Sequence, residues 1–231
     1  MSATPVQYEQ AGAVAVIAMD DGKANALSYA MMDGLGAALE RAEKEASAVV
    51  LSGREGRFSA GFDLREMSAG AAQARAIVTR GAEFLLRLYG FPLPVVVACS
   101  GHALAGGALT LLTGDVRIGA RGAFKIGLNE VAIGMPVPIL AMELARDRLN
   151  PSQLMTATLF AQTVDPETAL TWGYLDELAE ASALRTAALD VAGRLGALPR
   201  QAYAQTKRAL REKTIAYCRT TLADDMMRLL P

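Results

Sequence analysis

Short apolar runs rich in β-branched residues alternate with longer amphipathic segments in the first part of the chain. Runs of this length, closed by glycine, proline or aspartate, are typical of buried strands. The clearest ones are Val14–Met19, Ala48–Ser52 and Val95–Cys99. Two further strands are predicted over residues 115–119 and 123–126. Residues 56–61, in contrast, are rich in glycine and serine, which predicts a loop.

Apolar residues at helical spacing follow most of these runs. After the first run, Ser28 provides an N-cap, and Met31, Leu35, Leu39 and Ala42 recur on one helical face. The predicted helices cover residues 29–46, 68–89, 105–112, 136–148, 151–159, 166–172, 181–195 and 200–229. Strands and helices therefore alternate early, whereas the last third is predicted to be all helical.

This alternation predicts an α/β fold in which βα units build a layered sheet. Residues 1–172 are interpreted as that core, and residues 173–231 as a helical C-terminal region. No low-complexity tract or linker rich in proline, glycine and serine separates the two.

Composition excludes several classes of function. Hydrophobic residues make up 52% of the 231 residues, so we expect additional apolar surface to be buried between subunits. The formal net charge of −1 leaves no basic excess for nucleic acid, and no apolar run is long enough to span a membrane. One histidine and two distant cysteines argue against a zinc site. Without a signal-peptide pattern, a cytoplasmic location is expected.

Two glycine-containing segments are candidates for binding a ligand through backbone N–H groups. In residues 58–64 (Phe-Ser-Ala-Gly-Phe-Asp-Leu), the glycine permits a sharp turn, and Asp63 is a candidate N-cap, which leaves the Phe62 N–H free. In residues 100–109, a buried strand leads into Gly106 and Gly107 at a helix start, where N–H groups have no intrahelical partner. A plain loop is the alternative for the first segment, and tight helix–sheet packing is the alternative for the second.

A third segment contains an acid between apolar neighbours. Glu130 precedes Val131, Ala132 and Ile133. A carboxyl group in apolar surroundings has a raised pKa, which suits a general acid or base near neutral pH. An exposed glutamate on a loop is the alternative.

Together and in this order, the three segments resemble the crotonase superfamily, also called the enoyl-CoA hydratase/isomerase family. The resemblance extends from about Val6 to Lys213. Residues 23–27 (Lys-Ala-Asn-Ala-Leu) are similar to the family's early CoA-contacting loop. Residues 198–210, which include Lys207, are similar to the late helix that reaches the nucleotide part of CoA, often that of a neighbouring subunit.

The resemblance implies a spiral of ββα repeats, a C-terminal helical oligomerisation region, and assembly as a homotrimer or hexamer. It implies an oxyanion hole formed by the N–H groups of Phe62 and Gly106, with Glu130 as the catalytic acid–base. The implied substrate contacts are Lys23, Asn25, Ala60, Gly61, Asp63, Leu64, Gly107, Leu109 and Lys207. It implies no metal or separate cofactor, because coenzyme A is part of the acyl-CoA substrate.

The sequence departs from the hydratase pattern at Leu109, where hydratases of the family carry their first catalytic glutamate. One carboxylate and a leucine hold a water poorly, but a single carboxylate can still move a proton between two carbons. Residues 105–109 and 127–130 instead resemble the Δ3,Δ2-enoyl-CoA isomerase branch. The expected reaction is isomerisation of a 3-enoyl-CoA to a 2-trans-enoyl-CoA. Hydration by Glu130 alone, another crotonase chemistry, and a CoA-thioester binder without turnover stay open as alternatives.

Overall fold

The computed structural model describes residues 4–230. Its strands are β1 (Val6–Ala11), β2 (Val14–Met19), β3 (Ala48–Ser52), β4 (Gly56–Ser59), β5 (Val95–Cys99), β6 (Gly101–Leu104), β7 (Val116–Ala120), β8 (Ile126–Gly127) and β9 (Glu177–Ala179). Its α-helices are α1 (Tyr29–Glu45), α2 (Leu64–Met67), α3 (Ala71–Tyr89), α4 (Gly106–Leu112), α5 (Ile139–Arg148), α6 (Leu154–Thr158), α7 (Pro166–Trp172), α8 (Leu184–Gly196) and α9 (Arg200–Leu229). Short 3-10 helices cover Val131–Ile133 and Pro151–Gln153.

Consecutive ββα units build two sheets in turn. Both strands of the first unit, β1 and β2, belong to a six-stranded sheet, ordered β1-β2-β3-β5-β7-β9. In each later unit the first strand joins this sheet, and the second joins a three-stranded sheet, ordered β4-β6-β8. Helices then follow each pair of strands: α1 after β2, α2 and α3 after β4, α4 after β6, and α5 after β8. Apart from the antiparallel β1–β2 pair, neighbouring strands are parallel. The predicted spiral of ββα repeats is confirmed.

The central strand β5 is buried on both faces, as its uninterrupted apolar run predicts for a parallel sheet. Val95, Val97 and Cys99 pack into the main core, which also contains the buried faces of α1 and α3. Val96 and Ala98 face the opposite side, where the buried side chains of α8 cover the sheet. The large sheet is therefore a middle layer between helices.

The structure confirms the predicted apolar face and the Ser28 N-cap of helix α1. The Ser28 hydroxyl accepts a hydrogen bond from the Met31 N–H at 3.2 Å. Met31, Leu35, Leu39 and Ala42 are all buried against the sheet. The predicted helix over residues 136–148 begins later, at Ile139, where Pro138 is the N-cap.

The loop prediction for residues 56–61 was wrong in part, because Gly56–Ser59 forms β4. The sequence also gave no indication of β6, which begins directly after the break at Ser100. These two strands pair with each other in the small sheet. An added Cβ on Gly101 would lie 2.0 Å from the Gly56 carbonyl carbon, so glycine is required for this close approach. Tertiary pairing outweighs the weak strand propensity of these segments.

The last third is not entirely helical. Glu177–Ala179 forms β9 and pairs with β7 at the edge of the large sheet. This strand lies beyond the proposed boundary at residues 172/173, and α8 packs against β3, β5 and β7. The division into a core and a helical region stays a prediction.

Helix α9 packs along α3 and α5 of its own chain. A buried ionic cluster fixes it there: the Lys207 Nζ lies 2.6 Å from the Asp115 carboxylate, and the Arg211 guanidinium lies 2.9 Å from its other oxygen. Asp115 stands at the turn before β7, so the cluster connects α9 to the large sheet. Within residues 4–230, no helix combines the length and apolar character needed to cross a membrane.

Candidate functional site

An apolar cavity of about 180 Å³ lies where the small sheet, α3 and α4 meet. All three segments singled out in the sequence contribute to its wall. The lining residues are Ala60, Phe62, Leu64, Met67, Val78, Leu104, Ala105, Gly106, Leu109, Asn129, Glu130, Ile133, Met135 and Pro138. Glu130 is the one ionisable side chain in this set, which makes the cavity a candidate for single-carboxylate chemistry.

The backbone around Phe62 is held by the loop before α1. The Leu27 N–H donates to the Gly61 carbonyl oxygen at 2.8 Å, and the Ala60 N–H donates to the Ala24 carbonyl oxygen at 3.0 Å. The N–H of Phe62 lies between these fixed peptides and donates to no other group of residues 4–230. Asp63 then caps α2, as predicted, by accepting from the Arg65 N–H at 2.8 Å.

Gly106 is the first residue of α4, so its N–H has no partner within the helix. It also donates to no other group that the structure describes. The preceding residue, Ala105, has a φ of 48°. This backbone conformation costs free energy for any residue other than glycine. Its N–H donates to the Gly127 carbonyl oxygen at 3.0 Å, which holds the start of α4 against the loop that carries Glu130.

These two backbone segments touch each other. Gly61 has a φ of 92°, and an added Cβ there would lie 3.0 Å from the Gly106 nitrogen. An added Cβ on Gly106 would lie 3.3 Å from the Gly61 Cα. Phe62 follows Gly61 directly, so the two N–H groups without partners stand at the wall of the same cavity.

Glu130 is buried in this cavity, with 5% of its surface exposed. Burial raises the pKa of the Glu130 carboxyl to about 7. Its Oε2 atom is buried and has no hydrogen-bond partner within the described chain. Two contacts hold the loop: the fully buried Tyr174 hydroxyl accepts from the Leu128 N–H at 3.3 Å, and the Ile133 N–H donates to the Glu130 carbonyl oxygen at 3.1 Å.

Asn129 is a cavity residue that the sequence did not single out. Its Oδ1 atom, like Oε2 of Glu130, is buried and without a hydrogen-bond partner among the described residues. A buried acceptor without a donor costs about 1–3 kcal/mol, so such atoms call for a specific explanation. Nothing in an isolated asparagine beside a glutamate indicates this burial, which depends on the packing of the whole cavity.

Leu109 separates the cavity from a smaller one. Phe62, Val78, Leu109 and Pro138 line both, and the second cavity holds only about 20 Å³. Its far wall includes Leu222 and Met226 of α9. Helix α9 therefore closes the apolar region behind Leu109 within one chain.

The residues near the cavity mouth divide into lining and supporting groups. Ala60 lines the mouth, and Leu64 is 68% exposed beside it. Lys23 has an exposed side chain, and its carbonyl oxygen accepts from the Arg54 Nε at 2.9 Å. Asn25, in contrast, is completely buried. Its side-chain amide donates to the carbonyl oxygens of Met19, Arg57 and Phe58, so the side chain supports the loop from within and is turned away from solvent.

Gly107 and Lys207, two of the implied substrate contacts, do not line the cavity. An added Cβ on Gly107 would lie 2.1 Å from the Ser59 carbonyl oxygen. Glycine is therefore required at this position for α4 to pack closely against β4. The Lys207 ammonium is buried, where it donates to the Leu93 carbonyl oxygen at 3.0 Å besides pairing with Asp115. Burial lowers the pKa of Lys207 to about 8 in spite of Asp115. These contacts occupy the ammonium group within its own chain.

Comparisons with known proteins agree with this geometry. The family model described as Enoyl-CoA hydratase/isomerase matches residues 9–229. The chain is 30% identical to human mitochondrial enoyl-CoA delta isomerase 1 over 214 residues, which cover 90% of this chain and 71% of that protein. It is 34% identical to a probable enoyl-CoA hydratase of Rhodobacter capsulatus over 180 residues, which cover 77% of this chain and 69% of the relative.

Among solved structures, an enoyl-CoA hydratase/isomerase family protein from Pseudomonas syringae superposes with a TM-score of 0.95. It is 38% identical, and the alignment covers 98% of each chain. Sequence, fold and the arrangement of the cavity thus agree, and the chain belongs to the enoyl-CoA hydratase/isomerase family, within the crotonase superfamily.

Proposed function

We propose that this enzyme isomerises 3-enoyl-CoA thioesters to 2-trans-enoyl-CoA thioesters. The observation that carries the proposal is the single carboxyl group of the cavity. Glu130 lies there among apolar side chains, with Leu109 where hydratases of the family carry their first catalytic glutamate. One base is sufficient to move a proton between two carbons of the same substrate.

The thioester carbonyl oxygen binds between the N–H groups of Phe62 and Gly106. Both donors lack other partners within the described chain, and the adjoining Gly61 and Gly106 backbones are in contact. Because these N–H groups are fixed before substrate arrives, they meet the negative charge as it develops on the enolate oxygen. One such donor lowers the activation free energy by roughly 3 kcal/mol.

Glu130 removes a proton from C2 and returns it to C4. The electrons of the C2–H bond form the enolate, and protonation at C4 moves the double bond into conjugation with the thioester. A pKa near 7 leaves the carboxylate basic enough to accept the proton and the acid strong enough to return it. The reaction moves only a proton, so it requires neither a metal nor a redox cofactor.

The coenzyme A portion extends from the cavity mouth toward the loop of residues 23–27. The Ala60–Ala24 backbone hydrogen bond connects the mouth to this loop, and the exposed Lys23 ammonium is available to the phosphates of CoA. We do not assign Lys207 this role, because its ammonium pairs with Asp115.

The enzyme assembles as a homotrimer or hexamer in this proposal and acts in the cytoplasm. Support comes from large apolar side chains that stay exposed on one chain. Met155, Leu159 and Phe160 near α6 are 60%, 59% and 63% exposed. Contact with another copy would remove this surface from water.

The test is the rate of 3-enoyl-CoA isomerisation by wild type and by the variant Glu130→Gln, which keeps the shape and removes the basicity. The rate should fall by roughly 10²–10⁴, the usual contribution of a positioned acid or base. Glu43→Gln is the control, since Glu43 is exposed on α1 and does not line the cavity. Full activity of Glu130→Gln would refute the proposal, whereas loss in both variants would assign the effect to folding.

A further inference from the structure

The aromatic ring of Phe62 packs directly against Gly81 of helix α3. An added Cβ on Gly81 would lie 2.0 Å from the ring atom Cε1 and 2.4 Å from the ring atom Cζ. Carbon atoms in contact normally lie about 3.5–4.0 Å apart, so even alanine at position 81 would displace the ring. Gly81 is buried within α3, and glycine weakens a helix interior relative to alanine. The contact with the Phe62 ring explains why glycine stands here despite that cost.

The opposite edge of the same ring faces the start of α4. An added Cβ on Gly106 would lie 3.3 Å from the Cδ2 atom of Phe62. The ring therefore lies between α3 and the first residue of α4, with Gly81 on one side and Gly106 on the other. A side chain at position 81 would push the ring toward α4.

The Phe62 ring also belongs to a partition between two apolar spaces. We define the partition as the side chains of Phe62, Val78, Leu109 and Pro138, which line both the 180 Å³ cavity and the 20 Å³ cavity behind it. Val78 stands one turn before Gly81 on α3 and is buried, as is Leu109. The position of the ring on Gly81 therefore determines where the larger cavity ends.

Helix α9 closes the space behind the partition. The carboxylate of the buried Asp225 accepts a hydrogen bond from the N–H of Ile139, the first residue of α5, at 2.7 Å. Leu222 and Met226, on the same face of α9, line the 20 Å³ cavity. The hydrogen bond fixes α9 at this place, so an acyl chain that passed the partition would meet the helix.

We propose that Gly81 is a positioning residue which, through the Phe62 ring, limits the acyl chain of the substrate to about six to eight carbons. A 150 Å³ apolar cavity holds one benzene molecule, so roughly six to eight carbons fill the 180 Å³ present here. The space behind the partition is about as large as one water molecule and adds little. This inference rests on the proposed function, in which the thioester oxygen lies between the N–H groups of Phe62 and Gly106 and the acyl chain fills the cavity.

The limit can be measured by binding, without turnover. Isothermal titration calorimetry is carried out with saturated acyl-CoAs of four, six, eight, ten and twelve carbons. In wild type, Kd should fall about fourfold for each methylene added up to about eight carbons, and should not fall further beyond that length. The kcat/KM values of 3-enoyl-CoAs of the same lengths, measured beside them, test the isomerase proposal separately.

Two variants move the limit in opposite directions. In Gly81→Ala the displaced ring shortens the cavity, so Kd for the eight-carbon acyl-CoA should rise about 10-fold, while Kd for the four-carbon one should stay within about twofold. Phe62→Leu removes part of the partition and keeps the backbone N–H, so the ten-carbon acyl-CoA should bind at least about fourfold more tightly than the eight-carbon one. Gly193→Ala is the control: the same exchange within α8, where an added Cβ meets nothing within 4 Å, should leave the length profile unchanged.

A wild-type Kd that continues to fall about fourfold per methylene through twelve carbons would overturn the inference. An equal change at every length in Gly81→Ala would also overturn it, because Gly81 would then act only on folding or on the Phe62 N–H. If Gly81→Ala does not fold, an unchanged length limit in Phe62→Leu overturns the inference instead. A limit near eight carbons that shifts in the variants, without isomerisation of any 3-enoyl-CoA, would uphold the inference and refute the isomerase proposal.

Discussion

Replacing Gly61 with alanine disturbs the contact between the two proposed oxyanion donors. The added Cβ would lie 3.0 Å from the Gly106 nitrogen and 3.2 Å from the Leu104 carbonyl oxygen. Both are backbone atoms, so relief requires the start of α4 to move by a few tenths of an ångström. Catalytic groups must be held within about 0.5 Å of their productive geometry, so a shift of this size takes up much of that tolerance and should weaken the donor without removing it.

The expected loss of kcat has an upper limit. Complete loss of one oxyanion donor lowers kcat by about 10²–10³. A partial displacement should therefore lower kcat by about 10- to 100-fold. Alanine at the positive φ of Gly61 also costs stability, by about 1–2 kcal/mol.

Gly12→Ala is the matched control. Gly12 has a φ of 61° in the turn between β1 and β2, and an added Cβ there meets nothing within 4 Å. Urea unfolding should show a stability loss in both variants, larger in Gly61→Ala because only its Cβ meets backbone atoms, while steady-state rates on 3-enoyl-CoA should show a loss of kcat only in Gly61→Ala. A folded Gly61→Ala enzyme with kcat within about twofold of wild type would refute the assignment of the donors.

Four further predictions concern the Glu130 carboxyl group, Leu109 and the assembly. The kcat/KM for isomerisation should rise with pH through about 7, where Glu130 ionises, and a midpoint near the ordinary glutamate value would contradict this account. Because the pKa of Glu130 is raised in the folded state, the free energy of unfolding of wild type falls as pH rises through about 7. The free energy of unfolding of Glu130→Gln should therefore exceed that of wild type by about 1–3 kcal/mol above this pH, and the two should be equal at about pH 4. Leu109→Glu should raise the ratio of hydration to isomerisation, and an unchanged ratio would show that Leu109 does not face the reacting carbons. Light scattering should give the mass of three or six chains, and a stable single-chain species at micromolar concentration would contradict self-association.

The parts of the fold that could be predicted are those with strong local patterns. The buried run of β5 and the periodic face of α1 are determined by residues close in sequence, and both were confirmed. The small sheet was missed because β4 and β6 contain glycine and polar residues and are stabilised by pairing with each other. Strand β9 was missed for the same reason, since its three residues become a strand only beside β7.

The site divides in a similar way. The candidate positions Phe62, Gly106 and Glu130 could be assigned from the order of the segments, and these residues do line one cavity. Side-chain contacts over long sequence separations could not be assigned. Lys207 was expected to reach CoA, but its ammonium lies 2.6 Å from Asp115, a residue distant in sequence. Likewise, the donorless Oδ1 of Asn129 is visible only once the surrounding chain is folded.

The most direct test of the central claim follows one hydrogen through the reaction. A 3-enoyl-CoA carrying deuterium at C2 should be converted by wild type into the 2-trans-enoyl product with part of the deuterium at C4, because one base takes and returns it in an apolar cavity. Glu130→Gln should form this product at least about 100-fold more slowly. Recovery of unchanged 3-enoyl-CoA from wild type, or equal formation of the C4-labelled product by Glu130→Gln, would contradict the claim that Glu130 carries the proton.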